Sequence, residues 1–245
     1  MRVCRRCGRE HHVGFVATRI AGTDGVSLET AKWARVFEEE GCACVYFGGE
    51  LETPAAASHV VPEAHFQHPE VRELYRSCFG VARRRRETTR RLHQCRARLK
   101  AELYRFVERF AVDLLVVENA LTIPLNLPLG MALAELISET ALPTIAHHHD
   151  FYWERVRFAV NAVGDYLRMA FPPRLDTIAH VVINSTAQEE LAHRKGRSSV
   201  IIPNVLDFAT PPNAHLADGR EFRRKVGLAP DDIIILQPTR VVQRK

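Results

Sequence analysis

Short, near-continuous apolar runs recur along this 245-residue chain, with helically spaced stretches between them. The runs are Val13–Ala17, Ala43–Phe47, Leu114–Val117, Pro143–Ala146, Val181–Ile183 and Val200–Ile202. A run of this length without polar alternation suits a strand buried on both faces, as in a parallel sheet covered by helices. Between the first two runs, Val26, Thr30, Trp33 and Phe37 fall at i, i+4, i+7 and i+11, which marks one face of a helix. The opening segment is therefore a strand–helix–strand unit of βαβ length. Further helices are predicted over Leu129–Glu139, Val156–Met169 and Thr186–His193. The alternation predicts an α/β fold built on a doubly wound parallel sheet.

Hydrophobic residues make up 46% of the chain and charged residues 26%, ordinary values for a globular protein. No window approaches the roughly 18 apolar residues of a membrane span. The basic start, Met1 to Cys7, lacks the apolar core of a secretory signal. The six cysteines have no disulfide-scaffold spacing, so reduced thiols and a cytoplasmic location are expected. Residues 1–11 read as a disordered leader and 12–204 as the main domain. Pro211 and Pro212 mark a linker over 205–218, and 219–245 opens a second domain. In that last segment Ile233 to Leu236 reads as a buried strand with no helix after it, which points to a truncated partner domain.

Two strand ends carry the candidate chemistry. After the first, Gly22-Thr23-Asp24-Gly25 leads into a helix. Glycines permit close backbone approach, and a helix N-terminus attracts a phosphate or a polar sugar. The competing reading is a tight turn with Asp24 or Ser27 as N-cap. After Pro143–Ala146 comes His147-His148-His149-Asp150-Phe151-Tyr152-Trp153-Glu154-Arg155. In a parallel sheet this edge forms the ligand crevice, where aromatic faces cover sugar C–H surfaces and polar groups bond hydroxyls. A zinc site with His147 and His149 on one side is the rival, ranked lower because three consecutive residues cannot all face one ion. Asn119, at the end of Leu114–Val117, either bonds a sugar hydroxyl or caps the helix near Leu129.

In their order and strand-end positions, Gly22 to Thr30, His147 to Arg155, and Arg240 with Lys245 resemble family-4 retaining glycosyltransferases of the GT-B fold. That resemblance implies a Rossmann-like N-terminal half, facing a donor-binding domain across a cleft. It implies that Gly22, Thr23, Asp24 and Gly25 approach the donor phosphates and that a histidine among His147, His148 and His149 lies beside the transferred sugar. It further implies that Arg240 and Lys245 hold the departing diphosphate. Asp150 joins the catalytic candidates from its place in the histidine run, and Asn119, Tyr152, Glu154 and Arg155 are substrate-binding candidates at the same strand ends. The expected co-substrate is a nucleotide diphosphate sugar, the acceptor a sugar, lipid or small-molecule hydroxyl, with no other cofactor and no metal. The donor motif of that family would lie in the missing C-terminal domain, so this chain alone is expected not to turn over.

Two other features have rival readings. Cys4-x-x-Cys7 with His11 and His12 is half of a zinc knuckle, expected to be leader without a complete site. Arg83 to Lys100 holds nine cations opposed locally by Glu87 alone, while Leu92, Cys95, Leu99, Leu103 and Phe106 repeat at helical spacing. A solvated helix face is the usual meaning. The functional alternatives are a basic adaptor for an anionic partner or peripheral contact with the inner membrane face. No aromatic interleaves the arginines, so nucleic acid is not expected. A non-catalytic sugar- or phosphate-binding module is the remaining alternative.

Overall fold

A computed structural model describes residues 3–5, 8–205 and 216–235. Seven parallel strands form one sheet: β1 (His12–Val16), β2 (Ala43–Gly48), β3 (Ser58–Val60), β4 (Leu114–Glu118), β5 (Thr144–His148), β6 (Ile178–Val182) and β7 (Ser199–Ile201). Their order is β3-β2-β1-β4-β5-β6-β7. The chain winds one way from β1 to β3 and the other way from β4 to β7, so the direction reverses between β1 and β4. At such a switch point the loops after neighbouring strands part and leave a crevice at the carboxyl edge. The fold is thus Rossmann-like α/β, as the apolar runs predict.

Helices cover both faces: α1 (Gly25–Glu39), α2 (Pro69–Cys78), α3 (Arg86–Phe110), α4 (Leu127–Thr140), α5 (Gly164–Ala170) and α6 (Ser185–Lys195). Strand alternation sorts the core into two layers. Val13, Phe15 and Ala17 pack with Tyr46, Val116 and α1 on one face. Val16, Phe47, Leu115 and Val117 pack with α3 and α4 on the other. Gly14 points into the second layer, where a Cβ would meet the Phe106 ring and Val112 Cγ1 at 2.9 Å. The missing side chain therefore lets α3 lie close against β1.

The predicted long helix is α3, and Leu92, Cys95, Leu99, Leu103 and Phe106 are all fully buried along it. Four of its cations are matched by acids from other helices, which the local sequence does not display, and Arg90 pairs with Glu87 of α3 itself. Arg91 pairs with Glu73 of α2 at 2.6 Å and Arg98 with Glu70 at 2.5 Å. Arg96 pairs with Glu135 of α4, and Lys100 with Glu139 at 2.7 Å. Arg84, just before α3, makes a two-pronged contact with Asp165 of α5 at 2.7 and 2.8 Å. The charge run is therefore mostly matched within the domain, and the adaptor reading loses much of the cationic surface it requires.

Two expectations are corrected. The single helix over Val156–Met169 is broken into a 3-10 turn at Val156–Phe158 and the short α5. Asn161 holds the break: its Oδ1 accepts from Val163 N at 3.1 Å and its Nδ2 donates to Phe158 O at 3.0 Å. Val156 and Val160, within that predicted helix, are exposed. In the second segment, Ile233 and Ile235 are more than 90% exposed and Ile233–Ile235 form no strand, with no described strand beside them to pair with. Leu236 lies outside the described residues.

The chain divides into two compact units, Met1–Asn204 and Val205–Lys245. In the second, α7 (Leu216–Val226) is followed by a turn in which Arg223 donates to the carbonyls of Ala229 and Asp232 at 3.1 and 2.7 Å. In the leader, Arg5 N donates to Glu40 O at 2.8 Å, beyond the end of α1. No helix among the described residues is long and apolar enough to cross a membrane.

Because Leu99 is fully enclosed between helices and sheet, Leu99→Ala is expected to destabilise the domain by about 2–5 kcal/mol. A lowered urea midpoint with an unchanged slope is the expected reading.

Candidate functional site

The site starts from a register. β4 and β5 run parallel with Glu118 beside His147. Pleating sends alternate side chains to opposite faces, so His147 and His148 diverge while His147 and His149 share a side. His147 donates through Nδ1 to Glu118 Oε2 at 3.0 Å, and His149 brings Nε2 to the same oxygen at 3.2 Å. His148 turns away and bonds His180 of β6, Nε2 to Nδ1, at 2.9 Å. Of the three, His147 and His148 are buried, and only His149 keeps exposure, 13% of its side chain. The histidine able to meet a ligand in the crevice is therefore His149.

Trp33 of α1 lies against the His147 ring with centroids 4.7 Å apart, and the His147 and His149 rings are 4.6 Å apart. Burial pushes the Glu118 carboxyl toward its neutral form, but the hydrogen bonds from His147 and His149 outweigh it and hold the group below its ordinary value. Glu118 Oε1 and His147 Nε2 are buried with no hydrogen-bond partner among the described residues.

Asn119 ties the two strand ends together. It adopts φ +61°, a left-handed conformation that asparagine tolerates better than most residues. Its Oδ1 accepts from His149 N at 3.2 Å and from Thr122 Oγ1 at 2.9 Å, while Nδ2 reaches Asp150 Oδ1 at 3.4 Å. Asp150 in turn pairs with Arg155, whose Nε lies 2.5 Å away. The helix-capping role considered for Asn119 falls instead to Asn126, whose Oδ1 accepts from Leu129 N at 3.1 Å.

The glycine loop opens on the same sheet edge, because β1 and β4 are neighbours with Val16 beside Val117. Asp24 caps α1, accepting from Val26 N and Ser27 N at 3.0 and 3.2 Å, and is braced by Arg19 at 2.7 Å. Desolvation raises its carboxyl, but these hydrogen bonds win and lower it. Gly22 takes φ +71° and donates its N–H to Glu52 at 2.7 Å, while Thr23 and Gly25 are exposed. The turn-and-cap reading thus describes Asp24 in this structure.

Tyr152 donates its backbone N–H to Thr122 O at 3.2 Å. With Trp153, Arg168, Arg174, Arg194 and Lys195 it lines a cavity of about 480 Å³. Burial, with Arg174 and Arg168 nearby, pushes the Lys195 ammonium down to about 8. Glu154 is exposed at the end of a 3-10 turn. Arg240 and Lys245 lie outside the described residues. Glu118 and Trp33 were not singled out as site residues from the sequence. The available signal was a carboxylate closing an otherwise apolar strand, a placement that needs a buried partner.

The His148–His180 pair sets an acid limit. Burial pushes both imidazoles down, His180 to about 4 from an ordinary 6.5. The unfolded chain therefore takes up protons first, and folding stability falls as pH drops below about 6.5 until the folded groups titrate. A His148→Gln/His180→Gln variant is expected to show a shallower loss between pH 7 and 4 in chemical denaturation. An unchanged slope would count against this assignment.

No protein-family model matches the chain. It is similar to a mannosylglucosylglycerate synthase of Petrotoga mobilis, 31% identical over 240 residues, covering 95% of this chain and 54% of the relative. It is also similar to a mannosylglucosylglycerate synthase of Thermotoga maritima, 33% identical over 226 residues, covering 91% of this chain and 51% of the relative. The chain thus spans about half the length of these curated relatives.

Proposed function

We propose that the Rossmann-like domain is the acceptor-side half of a retaining GT-B glycosyltransferase that moves a hexose from a nucleotide diphosphate sugar to an acceptor hydroxyl. The similarity to two synthases over more than nine-tenths of the chain carries this reading. Their shared name describes a product of mannosyl, glucosyl and glycerate parts, which suggests a glycosylated hydroxy acid as acceptor. The crevice offers suitable groups for such a ligand: the His149 imidazole, the Asn119 amide and the Asp150–Arg155 pair, held at one sheet edge by hydrogen bonds.

In the reaction the acceptor oxygen bonds to the anomeric carbon as the bond to the diphosphate oxygen breaks. The electron pair leaves with the diphosphate, and the hydroxyl proton is released. Cations fixed on the leaving group lower the barrier because its charge grows in the transition state. By resemblance those cations are Arg240 and Lys245. Glu118 orients His149 beside the sugar, and no protein nucleophile is assigned. Residues 1–245 tested by themselves are expected to bind acceptor.

Titration of the chain with glucosylglycerate, followed by NMR or calorimetry, is expected to show binding that His149→Ala weakens about tenfold or more, on the scale of one charge-assisted hydrogen bond. Nucleotide diphosphates are expected to bind weakly. Tight nucleotide binding, or no acceptor binding at all, would sink the assignment of this half to the acceptor side.

A further inference from the structure

We propose that Glu118, His147 and His149 form a binding site for one first-row divalent transition metal ion at the carboxyl edge of β4 and β5. Their ligating atoms lie within 4.8 Å of one another, in a two-imidazole, one-carboxylate set. Such a set suits zinc, manganese, iron, cobalt or nickel rather than calcium or magnesium. The objection that three consecutive histidines cannot face one ion disappears here. His148 points to His180, and the third ligand comes from the neighbouring strand.

The spacing supports an ion. Glu118 Oε2 lies 3.0 Å from His147 Nδ1 and 3.2 Å from His149 Nε2. Two ligands each about 2.1 Å from one metal stand roughly 3.0–3.4 Å apart in octahedral or tetrahedral arrangements. The two imidazole nitrogens lie within 4.8 Å of each other. The second observation is the unused Glu118 Oε1, which lies on a residue 1% exposed and has no hydrogen-bond partner among the described residues. A carboxylate with one oxygen between two imidazoles and the other bare can coordinate through either or both oxygens. The ligands are also held from behind. Asn119 fixes the His149 backbone, and Trp33 lies against the His147 ring. Because His149 is the exposed member, an open coordination position on its side would take water or a ligand oxygen.

The inference stands apart from the transfer reading, since its readout is metal binding alone. Cobalt(II) would be titrated into the chain carrying Cys4→Ser and Cys7→Ser, so that the leader thiols supply no site. Saturable visible d–d absorption at one ion per chain is expected. Affinity should fall at least about tenfold in His149→Ala and in Glu118→Gln, and stay unchanged in His148→Gln. Circular dichroism would establish that each variant is folded, and partly exposed His149 makes its variant the safer one. No saturable absorption at millimolar cobalt, or equal absorption in parent and His149→Ala, would overturn the proposal.

Discussion

A fully buried carboxylate is expensive to ionise unless groups around it favour the charge. Glu118 meets that demand through two imidazoles from a single neighbouring strand end, and much of the crevice follows from this pairing. The parallel register of β4 and β5 sets Glu118 beside His147, and two residues of strand pitch place His149 on the same oxygen. A shift of one residue would bring His148 to that side and break both bonds. The hydrogen-bonded sheet therefore fixes the chemistry of its own edge.

Much of the architecture was legible because its signals are local. Apolar runs mark six of the seven strands, and helical spacings mark α1, α4 and α6 within two residues of their observed ends and locate α3, whereas α2 left no reading and β6 begins three residues before its predicted run. Where a predicted helix fails, the cause is physical. Val156 and Val160 face solvent, and Asn161 satisfies the backbone of a break. The strand β3 holds Ser58, His59 and Val60 and so shows no apolar run, and Ile233–Ile235 cannot act as a buried strand without described neighbours to pair with.

The site was legible in part. Residues His147 to His149 stood out by their density, but their division of labour depends on which side of the pleat each occupies and on partners from other strands. Glu118 lies 29 residues upstream of His147, and His180 lies 32 residues downstream of His148. The arginines before and within α3 show the same limit in electrostatics. Their sequence neighbours leave them largely unopposed, whereas α2, α4 and α5 bring most of their counter-charges in space. Local charge density is thus a poor guide to exposed potential when a long helix has three others along its flank.

Asn119 combines two requirements usually met by different residues. Its backbone occupies a left-handed angle that glycine also tolerates, and its amide joins the strand ends through His149 N, Thr122 and Asp150. Glycine would keep the bend and lose the tether. Glutamine could restore an amide, but on a longer arm and with a poorer fit to the bend. Aspartate could hold the bend and accept two hydrogen bonds, yet it would present a negative charge to Asp150. The chemical room for variation at this corner is therefore narrower than either its geometry or its polarity alone would suggest.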